Sequence, residues 1–115
     1  MTNVEIIYDN NIIIGFNMKG HAGYNQGGPD ILCASLSTAS QMTINAVLDW
    51  IGLSFEDIAL ECDAKEGVLH IQIPSGHCEH MTTQQLLKSF EMYVESLEEQ
   101  YSKYVKLERR QKDDN

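Results

Sequence analysis

His21 and Cys33 are the residues whose types and spacing suit covalent chemistry. Gly20-His21-Ala22-Gly23 leads into a glycine-rich stretch, and Asp30-Ile31-Leu32-Cys33-Ala34-Ser35-Leu36-Ser37 follows it. His21 comes just after an alternating, strand-like segment. Cys33 falls in the first turn of a helix-like one. A helix start exposes unpaired backbone N–H groups and a partial positive charge. Both favour the thiolate, the nucleophilic form of cysteine. An imidazole brought alongside would pair with that thiolate and then protonate a leaving amine. The first-turn N–H groups would also hold the oxyanion of a tetrahedral intermediate. Together these features predict acyl transfer. The same residues admit plainer readings. A cysteine in a helix commonly serves as a small hydrophobe, and His21 would then only satisfy a carbonyl. Asp30 stays open between two roles. As an N-cap it would accept N–H bonds of the first turn; as a third catalytic member it would orient His21. The cap reading conflicts with an oxyanion hole, because it occupies the Cys33 N–H and sets a carboxylate against the thiolate.

The elements that must position this pair follow from periodicity. Val4 to Tyr8 is rich in β-branched residues and alternates in part, Asp9-Asn10-Asn11 reads as a turn, and Ile12, Ile14, Phe16 and Met18 recur at period two, which together predict a β-hairpin. Residues 19 to 29 hold too much glycine and proline for a regular element. From Asp30 to about Trp50, apolar and small residues recur three and four apart, Leu32, Leu36 and Ala39 beside Cys33, Ser37 and Ser40, and Gly52 is a stop. Ile58, Leu60 and Cys62, then Leu69, Ile71 and Ile73, alternate on either side of a Lys65-Glu66-Gly67 turn and predict a second hairpin closed by Pro74. Leu86, Phe90, Tyr93, Val94, Leu97, Tyr101 and Tyr104 mark the stripe of a long helix from about Thr82 to Leu107, with a frayed tail from about 108 to Asn115. The reading is β-β-α-β-β-α. It implies an α+β domain spanning 1–115, with a mostly antiparallel four-stranded sheet under two helices.

Composition narrows the function classes. The chain has 115 residues, 43% hydrophobic and 22% charged, as expected of one globular domain. No apolar run suggests a membrane span, and the start reads as a strand, not a signal peptide. Three cysteines, an odd number, predict reduced thiols and a cytoplasmic setting. A formal net charge of −9 opposes direct nucleic-acid binding and favours basic partners. No cofactor is expected. His77-Cys78-Glu79-His80 lacks the paired spacing of a metal site and reads as an exposed polar turn. Cys62 reads as core, the aromatic stripe as core or dimer interface, and Glu95, Glu98 and Glu99 as a solvated face. Ser35, Ser37 and Ser40 have nothing nearby to activate them as nucleophiles.

Gly20-His21-Ala22, the glycine-containing loop, Asp30-Ile31-Leu32-Cys33-Ala34 and Ser37 resemble the signature of the ribosomal-processing cysteine protease family, Prp. The element order resembles that family as well, so the resemblance covers nearly the whole chain. Leu32 and Ser35 stand where the pattern has Val and Ala. The resemblance implies a cysteine endopeptidase that removes the N-terminal extension of a large-subunit ribosomal protein, clearing that protein's path to the peptidyl-transferase centre. It implies His21 and Cys33 as the catalytic pair and a homodimer. It also implies a mobile loop, Ala22 to Pro29, closing over substrate, with Ala22, Gly23, Tyr24, Gly27 and Gly28 in it. Gly20, Asp30, Ala34 and Ser37 are then the candidates for binding or orienting substrate. Two other classes compete: a ribosome-associated binding module for a basic protein segment, and a thiol redox sensor. The sensor needs a resolving cysteine near Cys33, and neither Cys62 nor Cys78 is close in sequence.

Overall fold

Val4, Ile6 and Phe16 point to one side of the first hairpin, and all three are almost fully buried. In the computed structural model, which describes residues 1–21, 31–63 and 65–112, this hairpin consists of β1 (Thr2–Asp9) and β2 (Ile12–Lys19). Asn10, with φ of 58°, turns the chain between them, as a short polar side chain can in the left-handed region. Val4 lies opposite Met18 and Ile6 opposite Phe16, with a bulge after Ile7. The chain continues through α1 (Ile31–Ile51), a single 3₁₀ turn at Phe55–Asp57, β3 (Ala59–Asp63), β4 (Val68–Gln72), α2 (Met81–Gln100) and β5 (Val105–Gln111).

The sheet order is β3-β4-β2-β1-β5. All neighbours pair antiparallel except β1 and β5, which are parallel. Both helices lie on one face. Leu32, Leu36, Ile44 and Val47 of α1 and Leu87, Phe90 and Val94 of α2 are buried there with Ile6, Phe16 and Ile71. The Phe16 and Phe90 rings are 4.3 Å apart, centroid to centroid. By length and composition α1 is apolar enough to cross a membrane, although no such segment is expected from the sequence. Its apolar stripe packs on the sheet, which is how a core helix reaches the same composition.

The α+β class holds, but the sheet has five strands rather than four. The long second helix ends at Gln100, not near Leu107, and 105–111 is a strand rather than a helix end and frayed tail. Tyr101 and Tyr104 continue the helical period in sequence, yet the Tyr104 and Val105 N–H groups both bond the Tyr101 carbonyl, in a tight turn. Beyond it Val105 and Leu107 are buried and alternate with exposed Lys106 and Glu108. This period-two segment completes the edge of β1. The acidic face of α2 anchors it. Glu91 and Glu95 pair with Arg109 at 3.1 and 2.6 Å, the Tyr8 hydroxyl donates to Glu91, and Glu98 accepts the Leu107 N–H at 2.7 Å. Two of the glutamates expected to be solvated, Glu95 and Glu98, thus tie β5 to α2.

Candidate active site

The pairing of β2 with β4 builds the site. Lys19 lies opposite Val68, so the next residues off each strand, Gly20 and Gly67, also meet. The Gly20 N–H donates to the Gly67 carbonyl at 2.9 Å. Gly20 has φ of +95°, which turns the chain sharply off β2, and its carbonyl accepts the Thr2 hydroxyl at 3.4 Å. His21 therefore emerges beside the β3–β4 turn. Its Nε2 lies 3.4 Å from the Lys65 carbonyl.

Cys33 approaches from the other side. It is the third residue of α1, half-buried and packed against the core. His21 and Cys33 line one cavity of about 360 Å³. The α1 stripe Cys33, Ser37 and Ser40 forms one wall, as the helical spacing predicts, with Ala34 beside it. Ser40 donates to the Ser37 carbonyl and Gln41 to the Ser37 hydroxyl, at 2.9 and 3.0 Å. Both serines are thus engaged within the helix. The sheet supplies the opposite wall through Met18, Leu69 and Cys62, which lie opposite one another across three strands and share the helix-facing side.

Of the residues singled out in the sequence, the structure brings Gly20, His21, Cys33, Ala34 and Ser37 to this cavity. Asp30 and the loop residues Ala22, Gly23, Tyr24, Gly27 and Gly28 lie outside the described residues. Cys62 is not core, as expected from its strand face, but exposed on the rim of the cavity. β3 is the edge strand, and at Cys62 the helices no longer cover the sheet. Cys78 is not an exposed turn residue. It is buried, its Sγ 3.4 Å from the Ile73 carbonyl and 3.6 Å from that of Pro74. Burial, and then the charges of Glu79 and Asp9, push its thiol up to about 11. Among the described residues no group of His, Cys, Asp and Glu side chains is arranged to hold a metal.

Sequence reasoning missed Asp63, Lys65 and Gly67 as neighbours of His21. Lys65-Glu66-Gly67 was legible as a turn. Which strand end faced it depended on the pairing of β2 with β4.

The thiol in the first turn of α1 and the imidazole beyond β2 thus share one cleft of an α+β domain. The family model described as cysteine protease Prp matches residues 1–106, and the chain belongs to that family. It is 29% identical over 108 residues to the ribosomal processing cysteine protease Prp of Staphylococcus aureus, covering 93% of this chain and 97% of that one. A crystal structure of an essential ribosomal processing protease Prp from S. aureus, with a covalently linked product peptide, superposes with a TM-score of 0.77 at 27% identity, covering 95% of this chain and 99% of that one. The same S. aureus protease with a substrate peptide gives a TM-score of 0.74 at 26% identity, with the same coverage. SMU.848 from Streptococcus mutans shares the fold, with a TM-score of 0.83 at 24% identity over 97% of this chain and 96% of that one.

Proposed function

We propose that this cysteine protease removes the N-terminal extension of a large-subunit ribosomal protein, with Cys33 as nucleophile and His21 as its proton-transfer partner. The observation that carries the reading is that both side chains line one cavity in a chain of the Prp family. The Cys33 thiolate attacks the scissile carbonyl, and first-turn N–H groups of α1 receive the oxyanion. His21 protonates the departing amine as the C–N bond breaks, and water then hydrolyses the thioester. The S. aureus relative crystallised with substrate and product peptides supports a peptide partner. The acidity of the chain suits a basic one. A homodimer belongs to the same reading, supported by Met42, Trp50, Met92 and Tyr93 standing exposed on the two helices. So does a cytoplasmic setting, supported by the odd number of cysteines.

The test is cleavage of a peptide spanning the extension junction of the ribosomal protein. Cys33→Ala and His21→Ala each abolish cleavage while circular dichroism stays that of the wild type; cleavage persisting in Cys33→Ala overturns the mechanism. One observation favours a second reading. Cys62 shares the cavity of Cys33 although the two are far apart in sequence. Peroxide would oxidise Cys33 to a sulfenic acid, and the Cys62 thiol would then displace water to form a disulfide. A Cys33–Cys62 disulfide in peptide mass spectra after mild peroxide treatment supports this thiol-redox role.

A further inference from the structure

The β3–β4 turn lies against the imidazole of His21 as closely as a side chain would. A Cβ on Gly67 would sit 3.0 Å from His21 Nε2 and 3.1 Å from its Cε1, and 2.9 Å from the Gly20 carbonyl oxygen. Only a glycine lets the ring approach this backbone so closely. Gly67 has φ of +67°, which turns the chain there, and its carbonyl accepts the Gly20 N–H just before His21. The Lys65 carbonyl, two residues earlier in the turn, lies 3.4 Å from Nε2. Asp63 holds this turn in shape, its carboxylate accepting the N–H groups of Lys65 and Glu66 at 3.1 and 3.2 Å.

We infer that the β3–β4 turn orients the His21 ring and selects its tautomer: the Lys65 carbonyl accepts a hydrogen bond from Nε2–H, and Gly67 gives the ring a flat backbone surface to rest on. A carbonyl only accepts, so neutral imidazole beside it carries its hydrogen on Nε2 and leaves the Nδ1 lone pair free. Nδ1 is then the atom that receives the Cys33 proton and returns it to the leaving amine. The backbone carbonyl performs the service that a carboxylate performs in a triad, so Asp30 is not required for it. This inference rests on the His21/Cys33 reading above. Lys65 and Gly67 act through the imidazole; they are positioning residues.

Gly67→Ala tests the inference, with Gly76→Ala as its control. Gly76 also has a positive φ, +93°, but nothing lies within 4 Å of a Cβ there. Both variants incur left-handed backbone strain, and Gly67→Ala melts lower than Gly76→Ala because its Cβ also presses on the Gly20 carbonyl; both are assayed well below their melting temperatures. Only Gly67→Ala displaces the ring. It lowers kcat by roughly 10- to 100-fold, the scale of a small misplacement of a catalytic group, with KM nearly unchanged and the acid limb of the pH–rate profile shifted. Gly76→Ala keeps the wild-type kcat. Equal kcat in the two variants overturns the inference. A second measurement does not depend on the variant folding: ¹⁵N shifts of labelled histidine in the wild-type chain, above the imidazole titration, report the Nε2–H form of His21. A predominantly Nδ1–H ring overturns the inference even if the protease cleaves as proposed. An Nε2–H ring with cleavage surviving in His21→Ala instead overturns the His21/Cys33 reading.

Discussion

The cleft around Cys33 and the approach to α2 around Cys78 each place a thiol near a helix start, in opposite settings. Cys33 lies inside the first turn of α1 on the wall of an open cavity that His21 also lines. Cys78 lies three residues before α2 begins, 3% exposed, facing the carbonyls of Ile73 and Pro74. Its surroundings are negative and dry, and its thiol is pushed up to about 11. Gln84 closes that region, its side-chain amide bonding Ile13 on both backbone groups and the Cys78 carbonyl at 2.7 to 2.8 Å. A helix start does not by itself make a cysteine reactive. Burial beside carbonyls and carboxylates pushes the thiol up instead.

Exchanging the two thiols for hydroxyls breaks the comparison most strongly. Cys33→Ser is expected to lower kcat/KM at least about 10⁴-fold, as loss of an essential member of a nucleophilic pair does, while Cys78→Ser cleaves like the wild type. Equal losses in the two variants would show that both act through stability alone. A second contrast is chemical. At pH 8 iodoacetamide should label exposed Cys62 at least about 100-fold faster than Cys78, whose thiolate fraction is small and whose sulfur is shielded. Comparable labelling of the two by peptide mass spectrometry would mean the α2 approach is open.

The third contrast is energetic. The Cys78 thiol titrates at about 11 in the folded chain against 9.0 ordinarily, so the folded state holds this proton more tightly. Its contribution is fully present below pH 9 and is lost as pH rises toward 11. Urea titrations across that window should show about 1–2 kcal/mol of stability lost in the wild type, over and above the loss in Cys78→Ala. An identical slope in both proteins removes Cys78 as the source. The smallest effect concerns β5. Arg109→Ala should cost about 1 kcal/mol, read as a slightly lower Tm, because Glu91 loses an ion-pair partner but keeps the Tyr8 hydroxyl.

How far the fold was legible differs from element to element. The β1–β2 hairpin and α1 could be read because each carries enough of a period, two in one and three-to-four in the other, and a glycine or asparagine where it stops, although a bulge after Ile7 interrupts the hairpin. Val105 and Leu107 were misread because their alternation is only two apolar residues long and follows helix-spaced tyrosines. Their strand state comes from pairing with β1, about a hundred residues earlier in the chain. Cys62 was misplaced for a related reason: alternation identifies the face of a strand, but not whether a helix extends far enough to cover it.

The amino-acid order alone determined the α+β class, the helix that carries Cys33 in its first turn and the turn at Lys65-Glu66-Gly67. These rest on local periodicity, capping and turn chemistry. It also marked His21 and Cys33 as the pair to examine. Only the tertiary structure decided which residues surround them. The antiparallel register of β2 with β4 brings Gly67 and the Lys65 carbonyl against His21. The packing of α1 on that sheet puts Cys62 in the same cavity as Cys33, and Cys78 is buried where Gln84 of α2 bonds its carbonyl. Register and packing depend on contacts between residues tens of positions apart, which no local pattern in the chain records.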